Sequence, residues 1–185
     1  EAEQGVIRGM YRFSVIGTPR VRLLGAGAIL REVIAAANWL QRELGVGSEV
    51  WSVTSFSELA REAAEVERAN RLAPGEARRT SYVEQCLADE RPVVAATDYV
   101  RAVPQMIASY LPGRRFVVLG TDGFGRSDTR LALRDFFEVD RSAIALAAVQ
   151  ALVDAGQLSP AVQREAIGKL DDAGESALLP PPWQR

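Results

Sequence analysis

Residues 93–97 read VVAAT and residues 116–121 read FVVLGT, two short runs that are apolar at almost every position. A strand with one face in water alternates apolar and polar residues, whereas one covered on both faces does not. Both runs therefore predict strands of a parallel sheet with helices on either side. The segments around them agree. GMYRFSVIG (9–17), VRLLGAG (21–27) and EVWSVT (49–54) carry further strand signals. Residues 28–44 place apolar side chains at helical spacing before Gly45, and Ser55 with Glu58 is spaced as a capping box opening a charged helix.

After a polar break at 73–81, Ser81 and Glu84 repeat the capping-box spacing for YVEQCLAD, which Pro92 closes. Asp98 is expected to cap the helix YVRAVPQMIASYL, with Pro104 early in it or kinking it, and DTRLALRDFF (128–137) reads as another helix. Asp140 opens RSAIALAAVQALVDAG, and Ser159-Pro160 opens one more helix by cap and proline. Strand alternating with helix gives an α/β fold, a three-layer α/β/α sandwich on a mainly parallel five-stranded sheet. The first strand, joined to the second by a short turn, is expected to lie antiparallel beside it at an edge. One domain over residues 1–170 and an irregular, proline-rich tail over 171–185 are expected.

Composition excludes several chemistries. The 185 residues include no histidine, which removes a Ser-His-Asp triad, a Cys-His pair and a His-ligated metal from this chain. The lone Cys86, with partly acidic neighbours, reads as a buried small residue in a reducing compartment. A net charge of −2 argues against a nucleic-acid partner. No apolar run reaches the roughly 18 residues of a membrane span and no signal pattern opens the chain, so a cytoplasmic location is expected.

Ligands of such sheets sit beyond the carboxyl ends of the strands, which singles out LGAGA (24–28), VTSFSE (53–58), ATDY (96–99) and GTDGFGRSD (120–128). LGAGAIL has two glycines of a dinucleotide fingerprint but Leu30 in the third slot, so it reads as a tight turn; a nucleotide- or phosphate-binding module remains the alternative function. GTDGFG is neither that fingerprint nor a P-loop. Its aspartates are expected to bond loop amides and cap the following helix, leaving Phe124 and Arg126 projecting as contacts to another protein surface. The candidate interface is Asp98, Tyr99, Asp122, Phe124, Gly125, Arg126, Ser127 and Asp128. No catalytic, cofactor-binding or metal residue is assigned.

At these loops the sequence resembles a known family. SEVWSVTSFSELARE (48–62), ATDYV (96–100) and VLGTDGFGRSDTRLALRDFFEVD (118–140) resemble the C-terminal, transketolase-like domain of the homodimeric bacterial pyruvate dehydrogenase component, from about Gly5 to Leu170. The resemblance implies a parent that uses thiamine diphosphate and magnesium to decarboxylate pyruvate and acetylates the lipoyl group of a dihydrolipoyl acetyltransferase core. The family's cofactor motif, Gly-Asp-Gly followed by asparagine, has only Thr121-Asp122-Gly123 as its nearest string here, and Asn38 and Asn70 both lie upstream. No cofactor is therefore expected on this chain. The first residue is Glu1, and the chain is expected to be the last domain of a longer enzyme. Its implied partners are its own upstream cofactor-binding domains, a second subunit and the acetyltransferase core.

Overall fold

A computed structural model describes residues 2–172. The five strands are β1 (Met10–Ile16), β2 (Pro19–Ala26), β3 (Gly47–Val53), β4 (Val93–Ala96) and β5 (Phe116–Leu119), in the order β1-β3-β2-β4-β5. All neighbours are parallel except β1, which runs antiparallel at one edge. The main helices are α1 (Ala2–Arg8), α2 (Leu30–Leu44), α3 (Phe56–Leu72), α4 (Tyr82–Cys86), α5 (Ala102–Gln105), α6 (Arg130–Phe136), α7 (Arg141–Asp154) and α8 (Pro160–Asp172). The three-layer, mainly parallel sandwich expected from the sequence is the architecture observed.

Each face of the sheet has its own core. Val21, Leu23, Val50, Val94 and Ala96 meet α2, α7 and α8, whereas Leu24, Trp51, Val53, Val93 and Ala95 meet α3, α4 and the 102–111 segment. Strict alternation between the two cores along β2 and β4 is the two-residue period of a strand buried on both sides. Burying a leucine such as Leu40 contributes about 1.5–3 kcal/mol. Helix ends follow local chemistry: Gly45 takes the left-handed conformation after α2, Asp140 accepts from the Ala143 amide, and Ser81 and Glu84 form a complete capping box. Ser55 caps α3 through the Glu58 amide, while the Glu58 carboxylate turns to Arg61.

Several expectations change. β1 is an antiparallel edge strand, but its neighbour is β3, which lies between β1 and β2. The short link at Gly17-Thr18 therefore crosses the start of β3. Gly47 makes the crossing possible, because a Cβ there would run into the Thr18 backbone. The polar lead-in forms α1, whose Gly5 rests against Tyr11. β5 is half-buried at every residue because it is the opposite edge. Asp98 caps no helix: α5 is only four residues long and starts after Arg101. Cys86 is half-buried, and burial pushes its thiol pKa up, which keeps it protonated at neutral pH. The irregular tail falls mostly on residues 173–185, outside the described residues, and α8 continues to Asp172.

Glu138 is the one non-glycine at positive φ among the described residues, at 54°, where Val139 N–H bonds the Arg134 carbonyl to close α6. The left-handed conformation costs an L-residue about 1–2 kcal/mol, and glycine costs about 0.5–1 kcal/mol in chain entropy. Glu138→Gly is therefore expected to stabilise the fold by about 0.5 kcal/mol, raising Tm by about 1–2 °C in calorimetry. A lower Tm would mean that the glutamate side chain outweighs the strain.

Candidate functional site

The carboxyl ends of β4 and β5 continue into two loops that stay joined beyond the last strand residues. Thr97 N–H donates to the Leu119 carbonyl at 3.1 Å, and Thr121 N–H to the Tyr99 carbonyl at 2.9 Å. Thr121 Oγ1 donates to the Asp98 carbonyl at 2.7 Å. The last connection is double: Arg101 donates its backbone N–H to Asp122 Oδ1 at 2.8 Å and its Nε to Oδ2 at 2.6 Å. These bonds hold the Asp122 pKa below the usual carboxylate range, the backbone bond first and the guanidinium second. Gly120 lies so close to the other loop that a Cβ would stand 2.8 Å from the Tyr99 carbonyl oxygen. It must be glycine for the loops to meet.

Beyond Asp122 the chain opens outward. Phe124 is 97% exposed, and Tyr99, Val100 and, on α6, Leu131 are exposed as well. A cavity of about 410 Å³ lies on one side of the loop, between Arg101, Phe124, Arg126 and Phe136. Another of about 510 Å³ lies on the other side, between Ile29, Asp98, Asp128 and Phe137. The structure thus brings all eight candidate interface residues to one end of the sheet.

Their individual roles are partly different from expectation. Asp122 bonds the neighbouring loop rather than its own. Asp128 accepts from the Thr129 amide, and Thr129 caps α6 through the Ala132 amide. Arg126 is exposed, as expected, but its guanidinium is tethered over the Phe136 ring, 4.0 Å from the centroid, whereas no such contact holds Phe124 among the described residues. Sequence reasoning missed Arg101, whose partner is 21 residues away. The available signal was an arginine in one carboxyl-end loop facing an aspartate in the next.

LGAGA is organised by packing. A Cβ on Gly25 would stand 2.8 Å from the Leu30 Cα, so this glycine admits the start of α2. At Gly27, with φ of 56°, the nearest group is the Asp98 carboxylate, 3.3 Å from where a Cβ would lie. A carboxylate at that point repels a phosphate. Asp122 commits both oxygens to Arg101, and among the described residues no group of three or more cysteine, aspartate or glutamate side chains is placed to hold a metal.

Behind the loops, Glu32 at the start of α2 is 5% exposed and accepts from Arg134 Nη1 at 2.7 Å and Arg141 Nε at 3.0 Å. This joins α2, α6 and α7. Toward the other end of the sheet, Arg22 and Glu49 are 3% and 7% exposed and bond each other at 3.0 Å, with Asp89 and Arg91 completing the network.

Comparison with known proteins gives this geometry a family. The transketolase-like C-terminal domain family matches residues 9–140. The pyruvate dehydrogenase E1 component of Pseudomonas aeruginosa is 51% identical over 172 residues, covering 91% of this chain and 20% of that protein. Those of Cupriavidus necator and Escherichia coli are 53% and 45% identical over 172 residues, covering 90% and 92% of this chain and 19% of each relative. The chain thus spans about one fifth of the length of these relatives. Among solved structures, a Pichia stipitis transketolase superimposes with a TM-score of 0.55 at 14% identity, covering 81% of this chain and 19% of that one. The β4 tetramer of a split-gene transketolase gives 0.51 at 16% identity, covering 78% and 42%. By sequence and by fold, the chain belongs to the transketolase-like C-terminal domain family, in the form carried by bacterial pyruvate dehydrogenase E1 components.

Proposed function

We propose that this chain is the C-terminal assembly domain of a bacterial, cytoplasmic pyruvate dehydrogenase, and that its 120–128 loop docks onto the rest of that enzyme. In this reading the parent decarboxylates pyruvate oxidatively with thiamine diphosphate and magnesium held on its other domains. It passes the acetyl group to the lipoyl group of a dihydrolipoyl acetyltransferase. This domain supports the packing of the cofactor-binding domains and of a second subunit, and has no turnover of its own.

The observation that carries the docking role is Phe124. A phenylalanine that is 97% exposed costs solvation in an isolated domain, and buried aromatics anchor protein interfaces. Of the loop's three ionic groups, Asp122 pairs with Arg101, Asp128 accepts from the Thr129 amide and Arg126 lies over Phe136, which leaves Phe124 as its uncommitted large side chain. A nucleotide- or phosphate-binding role is the weaker reading, because Asp98 stands at Gly27 and Leu30 backs Gly25.

In the intact parent enzyme, Phe124→Ala is expected to weaken subunit association about tenfold or more, within the range of an interface anchor. Sedimentation velocity over a dilution series measures it. Unchanged association together with unchanged turnover would remove the docking role.

A further inference from the structure

We propose that Arg101 is the positioning residue of the docking surface, holding Phe124 together with Tyr99 and Val100 as one pre-formed face for an apolar surface elsewhere in the same enzyme. This rests on the docking reading above and adds to it the residue that sets the loop's geometry. The occupant follows from extent and chemistry. The alignment takes in 20% of the Pseudomonas enzyme, so most of such a parent lies outside this domain. The exposed Tyr99, Val100, Phe124 and Leu131 are apolar or aromatic, and the described residues leave them uncovered.

The geometry points to Arg101 because of where the hydrogen bonds stop. The ladder between β4 and β5 runs on through Thr97, Thr121 and Asp122 and ends at Arg101. From Gly123, at φ of 97°, to Ser127, no hydrogen bond ties the loop among the described residues; its one side-chain anchor is Arg126 over Phe136. The next fixed point is the Asp128–Thr129 pair at the start of α6. Phe124 is therefore two residues from the Arg101 clamp and five from Thr129. Cutting the clamp frees one end of the segment, and the partner must then supply the ordering entropy on docking. The clamp is accessible yet engages both carboxylate oxygens of Asp122, one through the backbone amide and one through the guanidinium of Arg101.

Amide hydrogen exchange in the intact enzyme tests this, read peptide by peptide over 93–105 and 116–137. In the wild-type enzyme the 123–127 amides, which have no hydrogen-bond partner among the described residues, are expected to exchange slowly because they are covered. Arg101→Ala is expected to accelerate them about tenfold and leave β4 (Val93–Ala96) unchanged. Phe124→Ala is expected to do the same, and the double variant to exceed Phe124→Ala by little, because the clamp acts through Phe124. Asp122→Asn, like Arg101→Ala, keeps the bond from the residue-101 amide and loses the one from the guanidinium, and is expected to match Arg101→Ala.

The outcomes separate the two readings. Free exchange of 123–127 in the wild-type enzyme overturns docking itself. Slow exchange that Phe124→Ala accelerates but Arg101→Ala does not leaves docking standing and overturns the positioning role. Acceleration spreading into β4 shows Arg101 to be a general stabiliser and overturns it as well.

Discussion

Arg22→Met is expected to destabilise the domain by about 3–5 kcal/mol, the cost of leaving one partner of a buried ion pair uncompensated. Arg22 sits on the central strand β2 and is 3% exposed. Its Nε bonds Glu49 Oε2 at 3.0 Å, and its Nη2 bonds Asp89 Oδ2 at 2.8 Å. Glu49 also accepts from Arg91 Nη2 at 3.2 Å and Trp51 Nε1 at 3.3 Å. Without Arg22 the Glu49 carboxylate keeps these longer contacts and the more distant Arg12 Nη1 at 3.9 Å. Against a total stability of about 5–15 kcal/mol for a natural domain, the loss is large. Urea unfolding measures it through a lower midpoint at unchanged slope. Adding Glu49→Leu removes the stranded charge and is expected to recover most of the loss, since replacing both members of a buried pair by apolar groups is close to neutral. A double variant no more stable than the single one would locate the cost in packing rather than charge.

The same network fixes an acid limit. Burial works against the Glu49 charge, but hydrogen bonds from Arg22 and Trp51 and the Arg91 and Arg22 charges outweigh it, and its pKa falls below the usual value. Asp89 is pulled down by its hydrogen bond from Arg91, with burial opposing. Carboxylates depressed in the folded state contribute stability that is complete above their ordinary pKa, about 4, and lost as pH falls through the lower folded value. Arg22→Met reduces the depression, so its acid-unfolding midpoint is expected to move to higher pH.

What the sequence disclosed follows the range of the interactions involved. VVAAT could be recognised as a doubly covered strand because its five residues carry the whole signal, and the Ser81–Glu84 box spans only four. The neighbour of β1 could not be read that way. β3 enters between β1 and β2 only after α2 has crossed the sheet, and its trace in the sequence is one glycine, Gly47, that gives no room to a side chain. Arg22 lay beyond local reading for the same reason: its partners are 27 and 67 residues away, and a lone arginine between valine and leucine looks like a solvent-facing position. At the loop, composition identified an exposed aromatic with an arginine. Only the fold shows that Phe136, ten residues on, lies under the Arg126 guanidinium and tethers it.

Glu32→Ala is expected to loosen α6 before it unfolds the domain. α6 is seven residues long and has no fully buried residue, too short to be stable without tertiary anchors. One anchor is electrostatic: Arg134 reaches back to Glu32 at 2.7 Å, and Arg141 at the start of α7 holds the other carboxylate oxygen at 3.0 Å. The Arg134 side chain is 17% exposed against 50% for Arg141, so removing the carboxylate penalises Arg134 more than Arg141. The expected cost is about 3 kcal/mol, the low end for a broken buried pair. It falls first on α6, whose amides should exchange about a hundredfold faster at pH 7 while those of β2 and β4 keep their protection. Glu32→Gln retains acceptor geometry without the charge and is expected to lose less. Because α6 carries Phe136, the ring beneath Arg126, and follows directly on the 120–128 loop, the same substitution should weaken docking of Phe124 in the intact enzyme. Uniform acceleration across the sheet and α6 would show instead that Glu32 supports the whole core, and would separate the docking loop from the buried network behind it.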